Sequence, residues 1–224
     1  MKTTLLSILS AALILAGLTS SPALGHDHAG PGVAETAEQV TPLLPGRTVP
    51  EARVRDRDGA EIALASVVSG PTVVVFYRGG WCPFCNLQLA DLRLIHPELK
   101  SLGYSLVAVS PDSPEKLNET LGKTELDYTL ISDSDAEAMK AFGIAFRLDQ
   151  PTLERYRGAG LDLAAAAGRD HGLLPAPGVF LFDGDGVLQF AYVHPDYRIR
   201  VPGAVILAAA REIAAGRHLL QPRR

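Results

Sequence analysis

Residues 72–77 have the sequence Thr-Val-Val-Val-Phe-Tyr, a continuous run of β-branched and aromatic side chains. Such a run is typical of a strand that is buried on both faces. A strand of this kind needs helices on both sides of its sheet, so the run predicts an α/β fold. Two further candidates for central strands follow at 104–110 (YSLVAVS) and 127–133 (DYTLISD).

Amphipathic segments alternate with these strands. The predicted helices cover 86–103, 113–123, 134–144 and 202–216, and the first is expected to be kinked or interrupted at Pro97. Short strands are expected around Asp58-Gly59, and a hairpin joins 178–183 to 187–193. The pattern predicts a central mixed sheet with helices on both faces, parallel at first and antiparallel at the end. Residues 145–176 are expected to be an insertion with one or two short helices.

The N-terminus has the features of an export signal. Lys2 precedes an apolar run at 5–18 that is too short to favour a membrane-spanning helix, and Ala23-Leu24-Gly25 is a small-residue cleavage site. We therefore predict a signal peptide at 1–25 and a disordered linker at 26–42, followed by a single domain at 43–224. The predicted location is periplasmic or secreted.

Charge excludes one class of partner. The 224-residue chain has a net charge of −4 and no basic stripe, so nucleic acid is not an expected partner. Its hydrophobic fraction of 47% is typical of a globular domain.

The chain has two cysteines, Cys82 and Cys85, separated by two residues. A disulfide between them closes almost no loop, so it contributes little to stability. One C-x-x-C pair without further ligands cannot build a four-ligand zinc site, and no metal or other cofactor is predicted. A redox-active pair is the remaining interpretation.

The cysteines follow a strand and begin a helix. Unpaired N–H groups and the positive end of the helix dipole at that junction favour a thiolate at Cys82. Trp81 is expected to cover the site with an apolar surface, and Arg78 to add a positive charge, although a solvated strand-end arginine is the alternative. We predict that Cys82 attacks, because Cys85 lies one turn inside, where burial raises a thiol's pKa.

The run VVVFYRGGWCPFC resembles the thioredoxin-like superfamily. The wider frame at 43 to about 216, including SLVAVSPDSPEKL, YTLISDSDAEAMKAFGI and PGVFLFDGDGVLQFAYV, resembles its alkyl hydroperoxide reductase/thiol-specific antioxidant branch, the peroxiredoxin-like proteins. The resemblance implies a thioredoxin-like fold and a thiol-dependent oxidoreductase. It implies no cofactor beyond the two sulfurs.

Two departures from the family pattern bear on mechanism. Aligned with typical peroxiredoxins, Cys82 takes the place of a threonine and Cys85 that of the peroxide-attacking cysteine, whereas thioredoxins attack with the first cysteine, here Cys82. Typical peroxiredoxins also have an arginine where this chain has Pro177, which instead matches the cis-proline of thioredoxins.

These observations leave two activities open. The leading prediction is an antioxidant peroxidase that reduces peroxides through a Cys82–Cys85 dithiol/disulfide cycle. The alternative is a thiol–disulfide oxidoreductase that acts on protein or cytochrome-maturation thiols. Either enzyme needs a peroxide or disulfide substrate and an external thiol reductant, which is a thioredoxin-like protein or a membrane electron donor.

Overall fold

The computed structural model describes residues 32–123 and 126–217. A seven-stranded sheet in the order β2-β1-β5-β4-β3-β8-β9 forms the centre of this part, and β6 pairs separately with β7. The strands are β1 (Arg53–Arg55), β2 (Glu61–Ala63), β3 (Thr72–Phe76), β4 (Ser105–Ser110), β5 (Thr129–Ser132), β6 (Ala145–Arg147), β7 (Leu173–Pro175), β8 (Gly178–Phe182) and β9 (Leu188–Val193).

The sheet is mixed, as the sequence predicts. Strands β3, β4 and β5 run parallel to one another, while β8 is antiparallel to both β3 and β9. Strand β3 lies between β4 and β8, and all five of its residues are buried. The continuous apolar run at 72–77 therefore does form a central strand covered on both faces.

Helices cover the two faces of the sheet. They are α1 (Leu64–Val67), α2 (Pro83–Ser101), α3 (Pro114–Lys123), α4 (Glu137–Ala141), α5 (Gln150–Gly158), α6 (Leu163–Ala167) and α7 (Gly203–Ala214). Helices α2 and α7 pack on the face that carries Val73 and Val75, and α1 and α4 pack on the face of Val74 and Phe76. The predicted layered α/β architecture is thus confirmed.

Helix α2 is continuous through Pro97, so of the predicted kink or interruption at this residue the interruption is wrong. Proline removes one helical hydrogen bond and crowds the preceding turn. Here Leu92 and Leu99, on either side of Pro97, are fully buried in the core. Burial of apolar side chains on both sides stabilises a helix that the local sequence alone would interrupt.

The linker prediction requires a correction from residue 34 onwards. Ala34 forms a bridge with Phe146, and the Thr41 N–H donates to Gly143 O at 3.0 Å. This segment also includes a short 3₁₀ helix, Ala37–Gln39. Val33 and Val40 pack against the core, and this burial orders a stretch that its small, polar composition marked as disordered. Residues 26–31 and the predicted signal peptide at 1–25 lie outside the described residues.

The insertion at 145–176 contains more structure than the sequence indicates. The one or two short helices expected there are two, α5 and α6, and strands β6 and β7 flank them. Across residues 32–123 and 126–217, none of the helices is both long and apolar enough to cross a membrane.

Candidate active site

The cysteines lie at the turn between β3 and α2. Cys82 is the N-cap residue of α2, with extended backbone angles, and Pro83 occupies the first turn, where its missing N–H costs nothing. The Cys82 carbonyl accepts hydrogen bonds from the backbone N–H groups of Cys85 (3.0 Å) and Asn86 (3.1 Å). The predicted strand-to-helix junction is therefore present, with both thiols reduced and buried.

The two thiols have pKa values shifted in opposite directions. The pKa of Cys82 is lowered to about 6, first by a hydrogen bond from the Cys85 thiol, then by the Cys85 backbone N–H and the positive charges of Arg78 and Arg200, against an opposing effect of burial. Burial is the main reason that the pKa of Cys85 is raised, and the hydrogen bond to Cys82 adds to it. Near neutral pH, Cys82 is the thiolate and Cys85 the proton donor.

Arg78 is buried rather than solvated. Only 3% of its surface is exposed, and its guanidinium carbon lies 4.2 Å from the ring centre of Tyr197, 5.1 Å from Trp81 and 5.7 Å from Tyr156. Its Nη2 donates to the Tyr156 hydroxyl. Three aromatic rings thus hold this cation beside the thiols, and Trp81 forms one side of the cage. The solvated alternative is excluded.

Arg200 provides a second guanidinium at the pair. It lies between β9 and α7, and its Nη2 donates to Cys85 Sγ at 3.4 Å. Arg200 was not among the predicted site residues. Its position is not apparent from spacing, because 115 residues separate it from Cys85 along the chain.

Asp112 anchors the turn before the cysteines. Its Oδ2 accepts the Gly80 N–H at 2.7 Å, and only 2% of the residue is exposed. Burial raises its pKa to about 6, although the hydrogen bond from Gly80 acts in the opposite direction. The carboxylate fixes the backbone that leads into Trp81 and Cys82, so its role is to position the loop.

Pro177 lies at the site, but its predicted cis peptide bond is wrong. Every peptide bond in the part of the chain that the structure describes is trans. Pro177 precedes β8 and, together with Arg78, Tyr156 and Tyr197, lines an open cavity of about 310 Å³. The structure therefore lacks the thioredoxin cis-proline, the feature by which Pro177 favoured thiol–disulfide exchange.

Three further polar residues near strand or helix ends, Glu98, Asp133 and His194, have other partners. Glu98 forms an exposed ion pair with Arg211, and Asp133 accepts the N–H groups of Ala138 and Met139 at the start of α4. The ring of His194 stacks on Tyr192, with 6.5 Å between ring centres. None of these contacts is with Cys82 or Cys85.

Comparison with known proteins identifies the family. Residues 45–191, more than half of the chain, match the model of the AhpC/TSA family. The chain belongs to the AhpC/TSA family. It is 33% identical over 105 residues to "Peroxiredoxin Bcp" of Escherichia coli K12, which covers 47% of this chain and 67% of that protein. Membership confirms the predicted class, a thiol-dependent oxidoreductase.

Solved structures confirm the thioredoxin-like, peroxiredoxin-type fold. "Peroxidoxin BcpB" from Mycobacterium tuberculosis has a TM-score of 0.57 and 22% identity, and covers 75% of this chain and 97% of its own. "Peroxiredoxin Q" from Xanthomonas campestris has a TM-score of 0.58 and 20% identity, and covers 78% and 98%.

Alkylation should report the low pKa of Cys82. In the reduced protein, we expect the rate of Cys82 modification by iodoacetamide to rise with a midpoint near pH 6, because the thiolate is the nucleophile and its pKa is lowered to about 6. Mass spectrometry of peptides after timed labelling between pH 4 and 9 measures the midpoint. Arg78→Met should move it upward by removing a nearby positive charge. A wild-type midpoint near 8.5, the value of a free thiol, would contradict the assignment.

Proposed function

We propose that this protein is an exported thiol peroxidase that cycles Cys82 and Cys85 between dithiol and disulfide. The observation that carries the proposal is the low pKa of Cys82, which accepts a hydrogen bond from Cys85 near two guanidinium groups. Such an environment favours a thiolate at neutral pH, and the chain belongs to a family whose relatives include proteins named peroxiredoxins.

The proposed oxidative reaction has two steps. The Cys82 thiolate attacks the terminal peroxide oxygen, the O–O bond breaks, and the leaving alkoxide or hydroxide takes up a proton to become an alcohol or water. Cys82 is then a sulfenic acid. The Cys85 sulfur attacks Cys82 Sγ and expels water, which leaves the disulfide. An external dithiol supplies the two electrons that restore the thiols.

The open cavity beside Arg78 is the proposed approach route for the peroxide. Tyr156, Pro177 and Tyr197 form an apolar and aromatic part of its wall, acidic and basic side chains line other parts of it, and Arg78 adds a buried positive charge to the lining. An apolar wall suits the body of an organic peroxide, while a cation stabilises negative charge that develops on the leaving oxygen.

The decisive experiment compares two activities of one preparation. Hydrogen peroxide and cumene hydroperoxide consumption is measured with dithiothreitol as donor, and reduction of insulin disulfides is measured under the same conditions. A variant with serine at both cysteines is the control. We expect peroxide turnover that depends on the cysteines. Disulfide turnover without peroxide turnover would overturn the proposal.

The second candidate function, thiol–disulfide exchange with proteins, is favoured by one surface feature. Three apolar side chains beside the cysteines are exposed, Phe84 by 36%, Tyr197 by 38% and Leu87 by 69%. Exposed apolar side chains around a reactive thiol suit docking of a partner protein. A protein reductant that regenerates the peroxidase, either thioredoxin-like or a membrane electron donor, would use the same surface, so we place this feature in the peroxidase cycle.

Export is part of the proposal and has its own test. The apolar run at 5–18 and the cleavage site at 23–25 support it. After expression of the full chain in a Gram-negative host, osmotic shock should release the protein, and its N-terminal sequence should begin near Leu24 or His26. An intact Met1 on released protein would refute cleavage, and retention in the spheroplasts would refute export.

A further inference from the structure

Arg200 is held in one orientation by hydrogen-bond acceptors on both edges of its guanidinium. Its Nε donates to Tyr197 O at 2.9 Å, Nη1 donates to Gln88 Oε1 at 2.8 Å, and Nη2 donates to Cys85 Sγ at 3.4 Å. A guanidinium is planar, so fixing two of its nitrogens also fixes the third. The contact with sulfur is therefore imposed by the protein rather than made by a freely rotating side chain.

Within residues 32–123 and 126–217, Arg200 forms no ion pair. Among the described residues its partners are a carbonyl, an amide and a thiol. Arg198, two residues earlier on the same loop, instead forms an ion pair with Asp196 at 2.7 Å. A half-buried cation without a carboxylate gains most when its thiol partner becomes negative.

Cys85 would be a poor leaving group without such a partner. It is fully buried, and burial raises its pKa. In disulfide exchange, the sulfur that departs as a thiolate leaves faster when its thiolate is stabilised. Cys82 is the N-cap residue of α2 and Cys85 lies one turn inside the helix, so an incoming thiolate meets Cys82, and Cys85 is the sulfur that must depart.

We propose that Arg200 is a catalytic residue of the reductive half of the cycle, which stabilises Cys85 as the leaving thiolate. The inference rests on the proposed dithiol/disulfide function. The reductant's thiolate attacks Cys82 Sγ, the Cys82–Cys85 bond breaks, and its electron pair passes to Cys85 Sγ beside Arg200. The reductant's second thiolate then attacks its own sulfur in the mixed disulfide. This releases oxidised reductant and the Cys82 thiolate, and the Cys85 thiolate takes up a proton.

The test isolates the reductive step. The disulfide is formed with diamide, so that its formation does not depend on peroxidase activity, and the oxidised protein is mixed with dithiothreitol at pH 8. Fluorescence of Trp81, the single tryptophan of the chain, follows reduction, and thiol titration confirms the end point. Oxidation of the reduced protein by hydrogen peroxide is measured separately at the same pH, which lies well above the wild-type Cys82 pKa of about 6.

Arg200→Met should slow reduction about 10- to 100-fold, the value of one hydrogen bond to a charged group. Arg200→Lys, which keeps the charge, should recover part of the rate. If Arg200 acted only by packing, the apolar methionine would preserve the rate better than lysine. A faster rate for Arg200→Lys than for Arg200→Met therefore shows that the charge matters. Arg198→Gln, on the same loop, should leave reduction unchanged. Urea unfolding shows whether each variant is folded.

Three results would overturn the inference. The first is reduction of Arg200→Met at the wild-type rate. The second is slowing of peroxide oxidation as large as the slowing of reduction, which would place Arg200 in the oxidative step. The third is the absence of a Cys82–Cys85 disulfide after diamide. Disulfide chemistry that depends on Arg200 in a protein that consumes no peroxide would support the inference and refute the peroxidase proposal.

Discussion

Replacing Cys82 with serine should abolish peroxide consumption, leaving only the background rate of the donor. The thiolate is the nucleophile in this reaction, and Cys82 is the thiol whose pKa is lowered to about 6. In the variant, the remaining thiol is Cys85, whose buried sulfur is protonated at neutral pH. Peroxide consumption with dithiothreitol, measured at several protein concentrations, gives the residual rate.

In the matched variant, Cys85→Ser, the reaction should stop after the first oxidative step, at the Cys82 sulfenic acid. Cys82 still attacks, but no second sulfur is available to condense with the sulfenic acid. We expect about one equivalent of peroxide to be consumed in a burst, and dimedone labelling with mass spectrometry should locate the sulfenic acid at Cys82. Serine keeps a hydroxyl that can replace the Cys85 thiol as donor to Cys82 Sγ, so the pKa of Cys82 should stay low and the burst should remain fast near pH 6.

The opposite result would have a clear meaning. If Cys82→Ser still forms a dimedone adduct at Cys85, then the peroxiredoxin alignment assigns the attacking sulfur correctly. Cys82 would then be the resolving thiol, in the place of the family's threonine. Arg200, which contacts Cys85 Sγ, would in that case lie beside the attacking sulfur. The assignment of Cys82 as the attacking thiol and the assignment of Arg200 to the reductive step would then both be wrong.

The central part of the fold could be predicted because its signals are local. The run at 72–77 and the strand at 104–110 lie side by side in parallel register, Thr72 opposite Ser105 and Phe76 opposite Val109. The insertion at 145–176 could not be predicted in detail. Its strands β6 and β7 are three residues long, and they pair across α5 and α6, so neither strand is long enough to give a periodic signal.

The active site likewise has a part that local sequence predicts and a part that depends on distant contacts. Cys82, Cys85, Trp81 and Arg78 fall within eight consecutive residues, and the strand–turn–helix pattern is enough to bring them together. The missed contacts join distant segments: Arg78 to Tyr156 across 78 residues, and Arg200 to Cys85 across 115. A single sequence carries no information about which distant polar side chains meet. The error at Pro177 has a different source, since a sequence match to another family's proline does not determine its peptide conformation.

Gly79→Ala should damage both stability and catalysis, because Gly79 lies in the turn between β3 and α2 and its carbonyl accepts the Cys82 N–H at 3.1 Å. Its φ of +144° is rarely adopted by residues with side chains, and a Cβ there would overlap with Trp81 Nε1 and lie 2.7 Å from Asp112 Oδ1. Backbone strain and overpacking each cost about 1–3 kcal/mol of unfolding free energy. Displacing Trp81 and the Gly80–Asp112 hydrogen bond would move the Cys82 backbone, and a shift of about 1 Å can reduce a rate by about 100-fold.

Gly103→Ala separates the effect of backbone strain from the effect of overpacking. Gly103 also has a positive φ, +83°, but a Cβ there would meet nothing within 4 Å, and the residue lies beyond the far end of α2 from Cys82. It should lower the urea midpoint by strain alone and leave the peroxidase rate and the Cys82 alkylation midpoint unchanged. Gly79→Ala should alter all three, because only its Cβ enters the space between Trp81 and Asp112. Equal effects of the two variants on the peroxidase rate would show that the packing around Gly79 does not control the thiol.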